Sequence, residues 1–216
     1  MDQLKHHIKG SRQQYDKDKL SEEDLTESPF DLFAKWLQLA VDTGVHEPIA
    51  MNLATVNIGG QPSSRIVLMR GFDENGIVFF SNYDSKKGIQ IEAHPAAAVN
   101  FYWQELNKQI RIEGIISKVA DSVSEEYFIS RPRESQIGAW ASLQSHILKN
   151  RQELNERVAA IEKKYENSKV PRPPNWGGYL LKPHIFEFWQ GRLNRLHDRF
   201  QYTLLNDTWK IDRLSP

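Results

Sequence analysis

Between residues 49 and 119 the apolar side chains come in short runs, each closed by a turn signal, and that rhythm limits the fold more than anything else in the chain. Residues 49–58 run into Gly59-Gly60, a hairpin signal, and 63–70 follow as the next strand. Asp73-Glu74-Asn75-Gly76 turns the chain into 76–82. Residues 85–93 read as a short helix ended by Pro95. A further hairpin, 96–104 and 109–119, turns at Leu106-Asn107-Lys108. No apolar run approaches the ~20 residues of a bilayer span. The polar start, Met1-Asp2-Gln3-Leu4-Lys5, lacks the apolar centre of a signal peptide. A soluble cytoplasmic protein with no membrane partner is expected.

The flanks are more helical. Ser28-Pro29-Phe30-Asp31 predicts a helix start, with Ser as N-cap, Pro at the first position and an acid in the first turn. Phe30, Phe33, Trp36, Leu37 and Ala40 continue at helical spacing and Gly44 supplies a stop. Ser122-x-x-Glu125 reads as a capping box opening a helix that stops before Pro132. A second helix is predicted over 149–167, broken by Pro171-Arg172-Pro173-Pro174. Short strands return at 178–181, 185–190, 200–204 and 208–213. Residues 1–28 are charged and nearly free of large apolar side chains, so a mobile N-terminal arm is expected there, with 29–216 as a single domain. Short antiparallel strands with a few peripheral helices predict a mainly β, α+β chain: a β-barrel with helical decoration.

Composition removes several chemistries. The 216 residues contain no Cys, which excludes disulfides, thiolate metal sites and a Cys nucleophile. The His residues show no metal-ligand spacing, so no metal is expected. Lys and Arg total 28 against 28 Asp and Glu, which argues against a nucleic-acid partner. GxGxxG, GxxxxGK[ST], HExxH and GxSxG are absent. A bound phosphate would therefore be held by side chains and helix ends.

Three stretches could do so. In Asn82-Tyr83-Asp84-Ser85-Lys86-Lys87, Ser85 is a plausible N-cap, which puts two lysines in the first helical turn against the helix dipole. A bound anion would reverse that penalty; two solvated lysines are the alternative. Tyr127 and Arg131 are i,i+4 and share a helix face, with Ser135 just beyond Pro132. Phenol, guanidinium and hydroxyl can donate to one phosphate, although an incidental surface pair reads the same way. If Arg195-Leu196-His197-Asp198-Arg199 is extended, Arg195, His197 and Arg199 line one face, near Trp189 as a flat wall. Arg65 and Arg70, at odd spacing on one strand, could share a ligand only across a bulge or at the strand end.

Ser64-Arg65-Ile66-Val67-Leu68, Asn82 to Lys87, Ser130-Arg131-Pro132-Arg133, Gln136-Ile137-Gly138-Ala139-Trp140-Ala141-Ser142, Phe188-Trp189-Gln190-Gly191, Arg195 to Arg199 and the end from Trp209 to Pro216 resemble, in order, the pyridoxamine 5′-phosphate oxidase family. The resemblance implies an antiparallel, Greek-key-like split β-barrel that binds FMN and forms a homodimer with the flavin at the subunit interface. It implies oxidation of pyridoxamine or pyridoxine 5′-phosphate to pyridoxal 5′-phosphate, with O2 reduced to H2O2. Carried over residue by residue, the flavin contacts are Arg65, Ile66, Val67, Leu68, Met69, Phe80, Ser81, Lys86, Lys87, Gln109, Gln144, Ser145, Trp189 and Arg199. The substrate contacts are Arg70, Tyr127, Arg131, Ser135, Arg195 and His197, the last two catalytic. Arg12 and Tyr15 match a segment that folds over the substrate, making the arm a lid. Arg70, Phe80 and Lys86 depart from the family's usual Lys, Tyr and Arg. A split-barrel reductase, a binding module without turnover and a single-strand nucleic-acid barrel are the competing readings.

Overall fold

The computed structural model describes residues 1, 4, 6, 8, 15 and 17–216; Arg12, expected at the substrate, lies outside the described residues. Helix α1 (Pro29–Asp42) starts where the sequence predicts. Ser28 Oγ accepts from the Phe30 N–H at 3.3 Å, and Gly44 leaves the helix end at φ +73°. The chain then makes β1 (Ala50–Val56), β2 (Pro62–Leu68), β3 (Gly71–Asp73) and β4 (Gly76–Asn82). Next come α2 (Lys86–Ala93), β5 (Ala96–Trp103) and β6 (Lys108–Lys118). Three helices follow: α3 (Asp121–Ser130), α4 (Arg133–Ala141) and α5 (Arg151–Lys164). The chain ends with β7 (Trp176–Gln190), β8 (Asp198–Leu205) and β9 (Thr208–Arg213). Hydrogen-bonded order is β2-β1-β5-β6-β7-β4-β3, with β8 on β7 and β9 on β8. The β1–β2, β1–β5, β3–β4, β4–β7, β7–β8 and β8–β9 pairs are all antiparallel.

Four local expectations are corrected. Helix α3 is capped by Ala120 with no side-chain bond, so Ser122 is not its cap. The acids of that turn go elsewhere: Arg172 donates to Asp121 at 2.6 Å and to Glu125 at 3.2 Å. Pro132, expected as a break, is also the N-cap of α4, because its fixed φ suits a helix entrance as well as an exit. The predicted strands 178–181 and 185–190 are one strand, β7. Its ladder to β4 ends at Leu181 and its ladder to β8 begins at Ile185, so Pro183 falls between the two. Finally, the 195–199 stretch is not extended throughout. Leu193–Arg195 is a 3-10 turn with Asn194 and Arg195 at φ +56° and +62°, and β8 begins only at Asp198.

Contacts divide the chain into two compact units. The first comprises Met1–Pro48, Phe101–Arg111 and Ile185–Pro216. Its core is aromatic: Phe33 meets Phe101 at 5.3 Å, Trp36 meets Phe188 at 5.3 Å, and Phe188 meets Tyr202 at 5.6 Å. Residues 17–28 rest on this unit. Leu20 is buried, and Tyr202 Oη both donates to the Thr26 carbonyl and accepts its N–H.

The second unit comprises Ile49–Asn100 and Ile112–His184. Met51, Leu53, Ile77, Phe79, Val99, Ile112 and Leu181 fill its sheet face. A second cluster joins Phe128, Ile137, Val170 and Trp176 beneath the helices. No helix among the described residues is long and apolar enough to cross a membrane.

Candidate functional site

Within the second unit, a cavity of about 630 Å³ is lined from β2, β4, α2, α3, α4 and the loop after α4. That is inside the roughly 300–1,000 Å³ typical of small-molecule sites. Among the described residues, four of its lining side chains are cationic (Arg65, Arg70, Lys87 and Arg131), and none is Asp or Glu.

Arg65, Lys87 and Arg131 are held by neutral oxygens or aromatic rings. Arg65 leaves β2 and donates to Thr55 Oγ1 at 2.6 Å, Ser63 Oγ at 3.0 Å and the Leu53 carbonyl at 3.2 Å. Gln90 Oε1 takes the hydroxyls of Thr55 and Ser63, which fixes the cradle. Lys87 stands in the first turn of α2, whose cap is Ser85 as predicted. Its ammonium donates to Ser81 Oγ at 3.0 Å, Gln144 Oε1 at 3.0 Å and Ser85 Oγ at 3.2 Å. Burial, then the neighbouring Arg65 guanidinium, pull Lys87 down from 10.5 to about 8. Burial also lowers Arg65.

The other wall is a stack. Phe80 lies 3.9 Å from Tyr127 and 5.5 Å from Trp176, all nearly parallel. The Arg131 guanidinium covers Trp176 at 4.6 Å, and its Nη1 is buried with no hydrogen-bond partner among the described residues. A buried donor without an acceptor is costly, and burial lowers the Arg131 pKa. Such a group awaits an oxygen-rich anion. Tyr127, Arg131 and Ser135 all line the cavity, as their spacing predicts. Arg70, two residues past the end of β2, lines it together with Arg65, the strand-end case the odd spacing required.

Ile66, Val67, Leu68, Phe80, Ser81 and Gln144 also line the cavity. Met69 is buried outside the lining, Lys86 is exposed outside it, and Ser145 is exposed at φ +72°. Trp176, Asn82, Gly138 and Ser142 line it without having been expected there. Thr55 and Gln90, which hold Arg65, were not expected either. Period-two alternation in β2 puts Ser63 beside Arg65 and could have found that residue. Trp176 carried no such signal.

The remaining expected residues belong to the first unit, where Tyr15, Trp189 and His197 form a second cluster. His197 lies 4.6 Å from Trp189, and Tyr15 meets both rings edge-on at 5.6 and 5.7 Å. His197 Nδ1 accepts the Arg192 N–H at 3.0 Å, so the neutral ring carries its proton on Nε2. Burial, then Arg195 and Arg199, lower the His197 pKa and favour that neutral form. Arg199 is turned to the buried carboxylate of Glu187 at 2.8 Å and to the Ser215 carbonyl at 2.7 Å. Arg195 is exposed and Gln109 is half-buried on β6.

Two family models match the chain: pyridoxamine 5′-phosphate oxidase over residues 37–165, and the pyridoxine 5′-phosphate oxidase C-terminal dimerisation region over 176–216. The pyridoxine/pyridoxamine 5′-phosphate oxidase of Bordetella pertussis is 53% identical over 95% of this chain and 97% of its own length. That of Acaryochloris marina is 48% identical over 97% and 95%. Among solved structures, PhzG from Burkholderia lata, in complex with tetrahydrophenazine-1-carboxylic acid, is 32% identical with a TM-score of 0.87 over 92% of this chain and 98% of its own. A pyridoxamine 5′-phosphate oxidase-related, FMN binding protein of Nostoc punctiforme is 19% identical with a TM-score of 0.68, covering 89% of this chain and all of its own. These likenesses bear out the expected fold class, a mostly antiparallel split barrel with peripheral helices.

Proposed function

The chain belongs to the pyridoxamine 5′-phosphate oxidase family, and from that premise we propose that it oxidises pyridoxamine or pyridoxine 5′-phosphate to pyridoxal 5′-phosphate with FMN as cofactor. For the amine, substrate, O2 and water give the aldehyde, ammonia and H2O2; for the alcohol, substrate and O2 give the aldehyde and H2O2. The observation that carries this reading is the cavity lined, among the described residues, by four cations and no carboxylate. Two phosphate monoesters would bring about −3 to −4 of charge to it.

The residues present fit FMN. Lys87, buried, and Arg65, half-buried, have no anion beside them among the described residues, are aimed by neutral hydroxyls and amides, and would hold the flavin phosphate. Ile66, Val67, Leu68, Phe80, Ser81 and Gln144 would flank it. When bound, FMN supplies the two-electron acceptor. Arg131, with its unpartnered Nη1, would take the substrate phosphate together with Tyr127 and Ser135, and Arg70 would assist. His197 acts as a neutral Nε2–H donor toward the substrate ring rather than as a base, because the Arg192 N–H occupies Nδ1. Arg195 would meet the substrate ring beside His197, and Trp189 and Arg199 would contact the flavin. Rate then comes from orientation more than from proton abstraction. The dimerisation-region match supports a homodimer, and the flavin would lie at the subunit interface, as the resemblance implies.

The likeness to PhzG gives a second reading, a tricyclic carboxylic acid as substrate. The Tyr127, Arg131 and Ser135 set favours a phosphate instead. One assay separates them. The purified protein should take up FMN, turn yellow, and release H2O2 with pyridoxine 5′-phosphate. FMN uptake without peroxide from either B6 phosphate would overturn the oxidase reading, and a chain that never binds FMN would overturn both.

A further inference from the structure

Lys108 is on β6 in the first unit, and its side chain is only 3% exposed, a rare place for an ammonium group. Its Nζ donates to Gln190 Oε1 and, at 2.9 Å, to Asp18 Oδ2, and lies 4.2 Å from the centre of the Trp36 ring. Gln190 is itself fixed, donating from Nε2 to the Leu106 and Asn107 carbonyls, so its oxygen is committed to Lys108. Of these partners, Asp18 brings the negative charge, and it belongs to the N-terminal segment.

Three residues upstream, Tyr15 meets Trp189 and His197 edge-on. It fits there because residue 191 is glycine: a Cβ at Gly191 would stand 2.8 Å from the Tyr15 ring. The segment has further ties at Lys17 Nζ, which donates to the Glu105 carbonyl at 2.6 Å, and at the Leu20 N–H, which donates to Asp198.

We propose that Lys108 is a positioning residue, a buried latch whose ion pair with Asp18 holds Tyr15 against the His197–Trp189 wall. This rests on the reading of those two residues as substrate and flavin contacts. The physical reason is asymmetric. If Asp18 leaves, the Lys108 ammonium keeps only an amide oxygen and a ring, in a place too closed for full hydration, so opening is opposed at the lysine. Asp18 itself is half exposed and loses little by leaving. The latch therefore acts through the buried partner, 90 residues away in sequence.

The test uses the FMN-loaded enzyme and the variants Asp18→Asn, Lys108→Met and Tyr15→Ala. A charge-assisted contact of this kind should be worth roughly a factor of ten or more. In Asp18→Asn, trypsin cleavage after Lys17 and Lys19 should therefore be about tenfold faster than in the parent. The KM for pyridoxine 5′-phosphate should rise about as much, while FMN affinity and melting temperature stay at parent values. Tyr15→Ala should raise KM similarly, and Asp18→Asn/Tyr15→Ala should be no worse than either alone. Should Lys108→Met not fold, Asp18→Asn decides the matter alone, since it alters only a half-exposed carboxylate. Parent-like cleavage and KM in Asp18→Asn would overturn the latch, and so would a loss confined to melting temperature. If the parent oxidises no B6 phosphate, the functional reading fails by itself, and the cleavage rates still support or overturn the latch.

Discussion

At the scale of single residues, Lys87 shows how a site for an anion can be recognised before the anion is there. Its ammonium has three neutral acceptors and no carboxylate, and burial lowers its pKa to about 8. A depressed lysine contributes stability that is complete above its unfolded value of about 10.5 and is lost as pH falls through about 8. The unliganded chain should thus gain stability through this residue as pH rises between those values. Affinity for the FMN phosphate should run the other way, strongest below about pH 8, where Lys87 is charged. Lys87→Ala should weaken FMN binding by roughly ten- to a hundredfold and flatten that pH dependence, both read by quenching of flavin fluorescence. An unchanged dissociation constant would exclude the assigned phosphate role. Lys87, Tyr127 and Arg131 were legible in the sequence, because charge at a helix start and i,i+4 spacing are local facts; Arg65, on a strand, entered as a site residue through the resemblance. Lys86 was named with them and stays outside, because one helical step turns a neighbour about 100° away.

At the scale of elements, α2 is aimed by its tight entrance. A Cβ at Gly88 would run into the Tyr83 backbone carbonyl, although in most helices Gly→Ala stabilises by close to 1 kcal/mol. Here the sign should reverse. Gly88→Ala should destabilise by about 1–3 kcal/mol in urea unfolding and weaken FMN binding by displacing the turn that carries Lys87. A stabilised Gly88→Ala would show that the entrance is loose. The sequence marked this helix well, as it did α1, β4 and β9, because caps and turn residues act within a few positions. It misplaced the start of α3, because the carboxylates of Asp121 and Glu125 are taken up by Arg172, about 50 residues away. It missed α4 because a proline was counted only as a stop, and it divided β7 at Pro183, where the strand changes partners.

At the scale of the whole molecule, 28 positive and 28 negative residues cancel, yet four cations line one cavity with no acid among them. Neutral composition argued against a nucleic-acid partner and said nothing about that separation. Large apolar side chains also remain on the surface, with Ile66 at 64% and Ile147 at 97% exposed. Together with the dimerisation-region match, they lead us to expect sedimentation equilibrium to give twice the chain mass at micromolar concentration. A monomer under those conditions would remove the proposed interface site for FMN. What the sequence by itself determined was the alternation of strands and turns, the entrances of α1 and α2, and the residue types able to meet a phosphate, all of which act over a few neighbouring positions. Only the tertiary structure decided that Trp176 closes the aromatic wall, that Gln90 and Thr55 aim Arg65, that Arg199 turns to Glu187, and that Lys108 meets Asp18. Those choices depend on which distant groups share a low-dielectric interior, where an unpaired charge costs most and the chain's own spacing carries no record of the partner.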